Sequence, residues 1–426
     1  MNIIGDILRP EPKILYLEPV FGCNYRCFFC IHGSGKRIEP VVLGPLLFEK
    51  LKTIVESVVH IHITGLGEPF LNPHLPDYLH YFRQTGKSYY INTNGSTIER
   101  RHIDLMTTSK SELSVSLDAG DRETYAMVRS GGNWDKVVST IKKISAIRAE
   151  RGAAYPLLYL SFNLNQLNLM SLEKIPALAH ELGIDGVKFS WTSLPQTHGA
   201  LSIFKTQAVV GEVLTRVDRQ LRRFGIAVTN EAVFGEHVRG CWAFSPMAFV
   251  GANATIAACC SSWLAIGSLV ENSFMDIWNG MPRRKLALGV LNAKPEEGCS
   301  HCRQIRGVNT KEDEDGFFRP ADYETKILAE KSKTIGRLPS LAGMDEEFRA
   351  GVEALAGRQT YRAVNIFSAL EAKFPDFFEI KNNLAAAHFY LGNFEKCKEM
   401  LCKIKKIPHN EKIVEANRMV LSRQGR

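Results

Sequence analysis

No apolar run in these 426 residues is long enough to cross a bilayer, and the amino terminus has no basic segment leading into an apolar one. The first absence argues against a membrane-spanning protein and the second against secretion, so a cytoplasmic protein without a membrane partner is expected. Blocks of one charge sign are scarce as well. The net charge of +8 is spread along the chain, which gives no reason to expect a nucleic-acid partner. In a reducing compartment the ten cysteines point to metal ligation rather than disulfides.

Eight of those cysteines fall in two groups. Cys23, Cys27 and Cys30 are spaced C-x3-C-x2-C directly after the strand-like run Ile14–Val20. Three thiolates hold three irons of a cubane [4Fe–4S] cluster and leave the fourth iron open, whereas electron carriers supply a fourth cysteine. A zinc site or a redox switch is the alternative, although zinc normally takes four close ligands. The motif resembles that of the radical S-adenosylmethionine (SAM) enzymes. The resemblance implies that the open iron chelates SAM and that one electron cleaves its sulfonium. The resulting 5′-deoxyadenosyl radical then removes a hydrogen atom from an unactivated C–H bond. It also implies an external one-electron reductant such as flavodoxin or ferredoxin.

The chain is long enough for several domains. Strand-like runs at Ile14–Val20, His60–Gly65, Ser88–Asn92, Leu113–Leu117, Leu157–Leu164 and Gly186–Trp191 alternate with helical patterns. Six β-α units predict an α/β fold with a partial (βα)6 barrel over residues 1–225, with the site at the carboxyl ends of its strands. Residues 226–308 read as a small α+β region and residues 309–344 as a charged linker. Residues 345–426 read as all-α: Ala363, Phe367, Leu370 and Pro375 recur as Cys397, Leu401, Ile404 and Pro408. That tail resembles tetratricopeptide (TPR) repeats, expected to dock on the core or to be capped by a last helix at 411–421, with a protein partner on the repeats. Cys397 and Cys402 take packing positions there.

Gly65-Leu66-Gly67-Glu68-Pro69 follows the second strand. Glycines let backbone approach a ligand, and a carboxylate accepts hydrogen bonds from an ammonium group. The segment resembles the family's Gly-Gly-Glu-Pro motif, which implies that Gly65, Gly67 and Glu68 hold the methionyl amine of SAM. Asn94 ends the third strand, and Ser114, Ser116 and Asp118 share one face if the fourth strand runs through them. The resemblance places Asn94, Ser116 and Asp118 near ribose and methionyl groups, Arg129 at the SAM carboxylate and Phe29 beside adenine. A buried polar network without ligand is the alternative for the serines. His32 reads as a satisfied histidine of the cysteine loop, and Lys188 and Trp191 as lumen or rim residues.

The second cysteine group is Cys241, Cys259, Cys260, Cys299 and Cys302. Two distant cysteines plus C-x2-C allow a four-thiolate site, either zinc or an auxiliary [4Fe–4S] cluster. The layout resembles the SPASM/Twitch extension, which implies one auxiliary cluster on Cys241, Cys259, Cys299 and Cys302. Cys260 is then surplus: a small buried filler, a ligand in place of Cys259, or a hydrogen donor to a substrate radical. The resulting expectation is an oxidising, cross-linking or epimerising enzyme acting on a peptide or protein. The alternatives are a dehydrogenase or epimerase of a small polyol or amino sugar, and a non-catalytic TPR scaffold.

Overall fold

The computed structural model describes residues 11–36, 38–192, 194–203, 206–230, 241, 246–257, 259, 260, 264–291, 296, 299, 318, 319, 325–329, 339–373 and 378–403. Six strands form where short apolar runs alternate with polar positions: β1 (Ile14–Leu17), β2 (His60–Ile63), β3 (Ser88–Thr93), β4 (Ser111–Ser116), β5 (Leu157–Leu164) and β6 (Gly186–Trp191). They pair in parallel in chain order. Parallel neighbours need long crossovers, and helices supply them: α1 (Pro45–Ser57), α2 (Leu75–Gln84), α3 (Arg100–Thr107), α4 (Arg122–Val128), α5 (Trp134–Glu150) and α6 (Ile175–Glu181). The side chains of Asp121 and Asn133 cap α4 and α5 by accepting from Thr124 N–H and Lys136 N–H.

The strands bury one face against the helices, with Leu15, Ile61, Ile91, Leu113, Leu160 and Phe189 in one continuous apolar core. The other face carries Tyr16, His62, Tyr90, Ser114, Ser161 and Lys188. That face curls inward. Lys188 on β6 lies 4.2 Å from the ring of Tyr90 on β3, three strands away. In a flat sheet the two strands would stand about 14 Å apart, so the partial barrel is closed enough to make a lumen.

Several expectations are corrected. The barrel does not end at residue 225: β7 (Ala227–Asn230) adds a seventh parallel strand beside β6, after α7 (Gln207–Arg223). The region after it does not form a separate sheet. Its strand β8 (Met247–Val250) pairs in parallel with the free edge of β1, and β9 (Thr255–Ala257) and β10 (Ala265–Ser268) follow antiparallel, making one ten-stranded sheet. An unpaired edge of β1 would leave buried amides unsatisfied, and β8 removes it. The fourth strand stops at Ser116; Asp118 lies in a turn at φ 56° and so does not follow strand alternation. The first strand run is broken at Glu18-Pro19, beyond which Val20–Phe21 pairs instead with Val41–Val42. The proposed linker is not free throughout, because Phe318–Arg319 pairs with Leu194–Pro195.

After α8 (Phe274–Trp278) and α9 (Met281–Leu291), the carboxy-terminal region is helical, with α10 (Pro339–Ala356), α11 (Thr360–Lys373), α12 (Phe378–Tyr390) and α13 (Phe394–Lys403) packed successively. Helix α10 already covers residues 339–344, the last part of the expected linker. Ala363, Phe367 and Leu370 are buried, as are Cys397 and Leu401 at the equivalent positions. Cys402 is exposed rather than packed. Ile404, Pro408 and the helix expected at 411–421 lie outside the described residues. The expected docking on the core is present: Leu46 of α1 is buried in the same cluster as Phe348 and Phe367.

Because Phe367 is wholly buried in this satellite core, Phe367→Ala is expected to cost about 3–5 kcal/mol of local stability. Limited proteolysis should then cleave the tail while the barrel stays resistant.

Candidate functional site

The cysteine loop leaves the carboxyl end of β1 and turns back on itself, with Cys30 N–H donating to Cys27 O at 2.9 Å. Donors are aimed at its sulfurs. Cys23 Sγ receives the N–H of Tyr25 at 3.4 Å and the Asn94 side-chain amide at 3.8 Å. Cys27 Sγ receives Arg129 Nη1 at 3.8 Å. Such N–H contacts stabilise thiolate ligands. Without a metal, burial pushes the Cys23 thiol up to about 11 and also raises Cys27, and the neighbouring thiols add to both shifts. Among the described residues no three His, Cys, Asp or Glu side chains stand close enough to share one metal ion. A cubane instead sets each thiolate on its own iron. The donor set fits an iron–sulfur cluster on Cys23, Cys27 and Cys30.

The turn after β2 lies against this loop. Gly65 has φ 155°, and a Cβ on Gly67 would fall 2.0 Å from the Val20 carbonyl oxygen, so neither position admits a side chain. The turn presents Glu68, which is 1% exposed. Its Oε1 accepts from the Thr93 hydroxyl at 2.6 Å and Phe70 N–H at 3.3 Å, and its Oε2 accepts from Asn94 N–H at 2.7 Å. Burial raises its pKa to about 7 against the opposing pull of those donors. Oε2 keeps acceptor capacity, which suits an incoming ammonium.

Asp118 and Arg129 form a second buried charge system. Arg129 Nη2 is 2.5 Å from Asp118 Oδ2, with side-chain exposures of 9% and 0%. Asp118 Oδ1 accepts from Asn163 N–H at 2.6 Å. Burial raises the Asp118 pKa and Arg129 pulls it back; burial also opposes the Arg129 charge, yet Asp118 and then Cys27 hold its pKa above the ordinary value. The pair is ionised because each partner supplies the counter-charge that water no longer can. Arg129 thus spans Asp118, Cys27 and the ring of Phe29, 5.6 Å away. Its expected freedom to meet a carboxylate is shared with Asp118, and Asp118 is committed to Arg129 and Asn163.

Ser116 donates to Asn92 Oδ1 at 3.2 Å, and Ser114 Oγ beside it is buried without a hydrogen-bond partner among the described residues. Deeper in the lumen, Tyr16 and His62 stack at 4.5 Å, and Lys188 sits over Tyr90 and Tyr159 at 4.2 and 4.3 Å. Burial, His60 and Lys188 lower the His62 pKa to about 4, so its imidazole is neutral. His32 is buried, with Nε2 donating to the Leu66 carbonyl. This matches the satisfied-histidine expectation.

Of the second cysteine group, Cys299 is buried, Cys241 and Cys259 are half-buried and Cys260 is exposed; Cys302 lies outside the described residues. Register locates Cys259 and Cys260. Ala257 pairs with Phe249, which pairs with Tyr16, so the chain beyond Ala257 runs toward the amino end of β1. Burial, and then Cys260, Tyr90 and Cys259, push Tyr16 up to about 12. Cys259 and Cys260 therefore lie toward the end of β1 opposite the Cys23–Cys30 loop, near Tyr16.

Sequence reasoning missed Glu18, Asn24, Ser96 and Asn163. Asn94 donates to Asn24 Oδ1 at 2.9 Å, and Asn24 donates to Ser96 Oγ at 2.9 Å, an amide chain beside Cys23. A visible signal existed for Glu18, a carboxylate at the end of an apolar strand run.

Asp118→Asn would leave the Arg129 charge buried without its counter-ion. Its expected cost is about 3–5 kcal/mol, read as a lowered urea midpoint. Asp118→Asn with Arg129→Met should recover part of the loss.

Comparison with known proteins agrees with this geometry. Residues 17–156 match the radical SAM superfamily model and residues 241–303 match the SPASM iron-sulfur cluster-binding domain. The chain is 22% identical over 231 residues to a GTP 3′,8-cyclase of Hydrogenovibrio crunogenus, covering 51% of this chain and 67% of that protein. It is 26% identical over 178 residues to the mycofactocin maturase MftC of Mycobacterium tuberculosis, covering 40% and 43% respectively. The crystal structure of Streptococcus suis SuiB bound to precursor peptide SuiA superposes with a TM-score of 0.54 at 16% identity, covering 72% of this chain and 73% of that one. These matches identify a radical SAM domain, which binds a [4Fe–4S] cluster and SAM, and a SPASM domain, which binds auxiliary iron–sulfur clusters.

Proposed function

We propose that this enzyme cleaves SAM reductively and abstracts a hydrogen atom from a carbon of a peptide or protein, which it oxidises, cross-links or epimerises. Carrying this reading is the meeting of three cysteines, the N–H donors to the sulfurs of Cys23 and Cys27, and the Glu68 carboxylate at one end of the barrel. When bound, the cluster and SAM supply one-electron chemistry that the side chains lack. Cys23, Cys27 and Cys30 hold the cluster. Gly65, Gly67 and Glu68 receive the methionyl amine, with Asn94 orienting Glu68 through its N–H. Arg129 offers a guanidinium edge to a carboxylate, Ser116 a hydroxyl to ribose and Phe29 a ring to adenine. The lumen below excludes bulk water from the reacting carbon.

Cys241, Cys259, Cys299 and Cys302 hold one auxiliary cluster in this reading, able to accept an electron from a substrate radical. Cys260, exposed beside Cys259, is the candidate hydrogen donor for an epimerising outcome. A peptide substrate is supported by SuiB, whose structure contains a precursor peptide. The helical tail adds a groove of about 660 Å³ that includes Leu355, Arg358 and Tyr390, a surface for a protein partner. An external flavodoxin or ferredoxin supplies the electron. Boundaries near residues 230, 308 and 339 divide the barrel, the auxiliary region, the connector and the tail. The hydroxyl-lined lumen, with Ser114 unpartnered, favours a small polyol or amino sugar as the second reading.

Anaerobic reconstitution should give about eight irons per chain, falling to about four when Cys23, Cys27 and Cys30 all become Ala, on four irons per cubane. Only the parent chain should form 5′-deoxyadenosine. Incubation with candidate peptides and with polyols, followed by mass spectrometry, decides between the substrate classes.

A pH dependence follows from Glu68. The carboxylate, not the acid, binds an ammonium, and its pKa in the fold is about 7. SAM affinity is therefore expected to fall as pH drops through 7, by about tenfold per unit. Glu68→Gln should bind weakly with no such slope. Without ligand the sign for stability is opposite: the fold holds this proton more tightly than the open chain, so Glu68 loses stability for the fold as pH rises from the ordinary carboxyl range to about 7.

A further inference from the structure

Glu18 is a carboxylate with no exposed surface, at the carboxyl end of β1. A charge so placed needs donors, and it takes them from two separate parts of the chain. Oε1 accepts from Leu66 N–H at 2.9 Å, in the glycine turn. Oε2 accepts from Ala252 N–H at 3.2 Å, in the SPASM-matched region. The backbone N–H of Glu18 donates to Val250 O at 2.9 Å, so the residue is fixed to that region by main chain as well.

The peptide of Leu66 is gripped from its other side too, since His32 donates to its carbonyl. Gly65 leaves no space over the Glu18 stem: a Cβ there would lie 2.4 Å from Glu18 Cγ. Two residues on, Glu68 N–H donates to Gly22 O at 2.9 Å. The turn is thus laid directly on the carboxylate, and its position is set by whatever holds Glu18.

We propose that Glu18 is a positioning residue that couples the glycine turn to the auxiliary-cluster region, so that the seating of Ala252 helps to set the SAM-binding conformation of Leu66 to Glu68. This rests on reading that turn as the seat of the SAM amine. Two charge-assisted bonds to one carboxylate are stronger and more directional than neutral ones. An amide at this position keeps one acceptor oxygen but turns an NH2 toward an N–H. Aspartate is one methylene shorter and cannot span both amides. Coupling of this kind acts in both directions.

The test uses the reconstituted full chain. Glu18→Gln is expected to keep the parent iron content while raising the SAM dissociation constant about tenfold, the loss of one hydrogen bond to a charged group, with KM for SAM rising more than kcat falls. Glu18→Asp should do the same. An unchanged SAM dissociation constant in both variants overturns the proposal. Should the variants lose iron or fail to fold, the parent chain still decides by hydrogen exchange. SAM should then slow exchange in residues 251–255 as well as 65–70, and protection confined to 65–70 overturns the coupling. A parent chain that binds its clusters but no SAM would instead sink the reading of the turn itself.

Discussion

Everything at the site is referenced to β1, four residues bonded on both edges. On one side it pairs with β2, whose carboxyl end launches the glycine turn. On the other it pairs with β8, which begins the auxiliary hairpin. The cysteine loop leaves its far end. A strand held from both sides cannot slip without breaking two ladders, because a one-residue shift would turn Leu15 and Leu17 out of the core. One short strand thereby fixes the relative positions of the cysteine loop, the glycine turn and the hairpin of the SPASM-matched region.

Charge burial is the second constraint. Glu18, Glu68, Asp118 and Arg129 are all at or below 8% exposure. Buried carboxylates are costly unless each lone pair finds a donor. Here most donors are backbone amides, at Leu66, Ala252, Asn94, Phe70 and Asn163. Backbone amides hold fixed directions, so the arrangement orders the turns around the site while it satisfies the charges. The Asp118–Arg129 pair adds a guanidinium next to Cys27 and Phe29.

The lumen is unlike the outer core. Its floor holds neutral His62, Tyr16, Tyr90 and Tyr159, with Lys188 set against two rings. Aromatic faces stabilise a cation without supplying a carboxylate. Above that floor come hydroxyl and amide side chains, among them the unpartnered Ser114.

The sequence alone determined the six β-α units, the cysteine triad and the glycine-acid turn, because each rests on local signals: a period of two, a spacing of thiols, a strand followed by glycines. Tertiary structure decided what those signals omit. That β8 would close the edge of β1, merging the auxiliary region into the barrel sheet, depends on pairing between residues more than two hundred apart. That Asp118 would turn away from strand alternation to meet Arg129 and Asn163 depends on three separate segments arriving together. Glu18 was visible only as a charge in an apolar run; its two amide partners come from segments far apart in the chain, and a hydrogen bond between such distant segments has no local pattern to announce it.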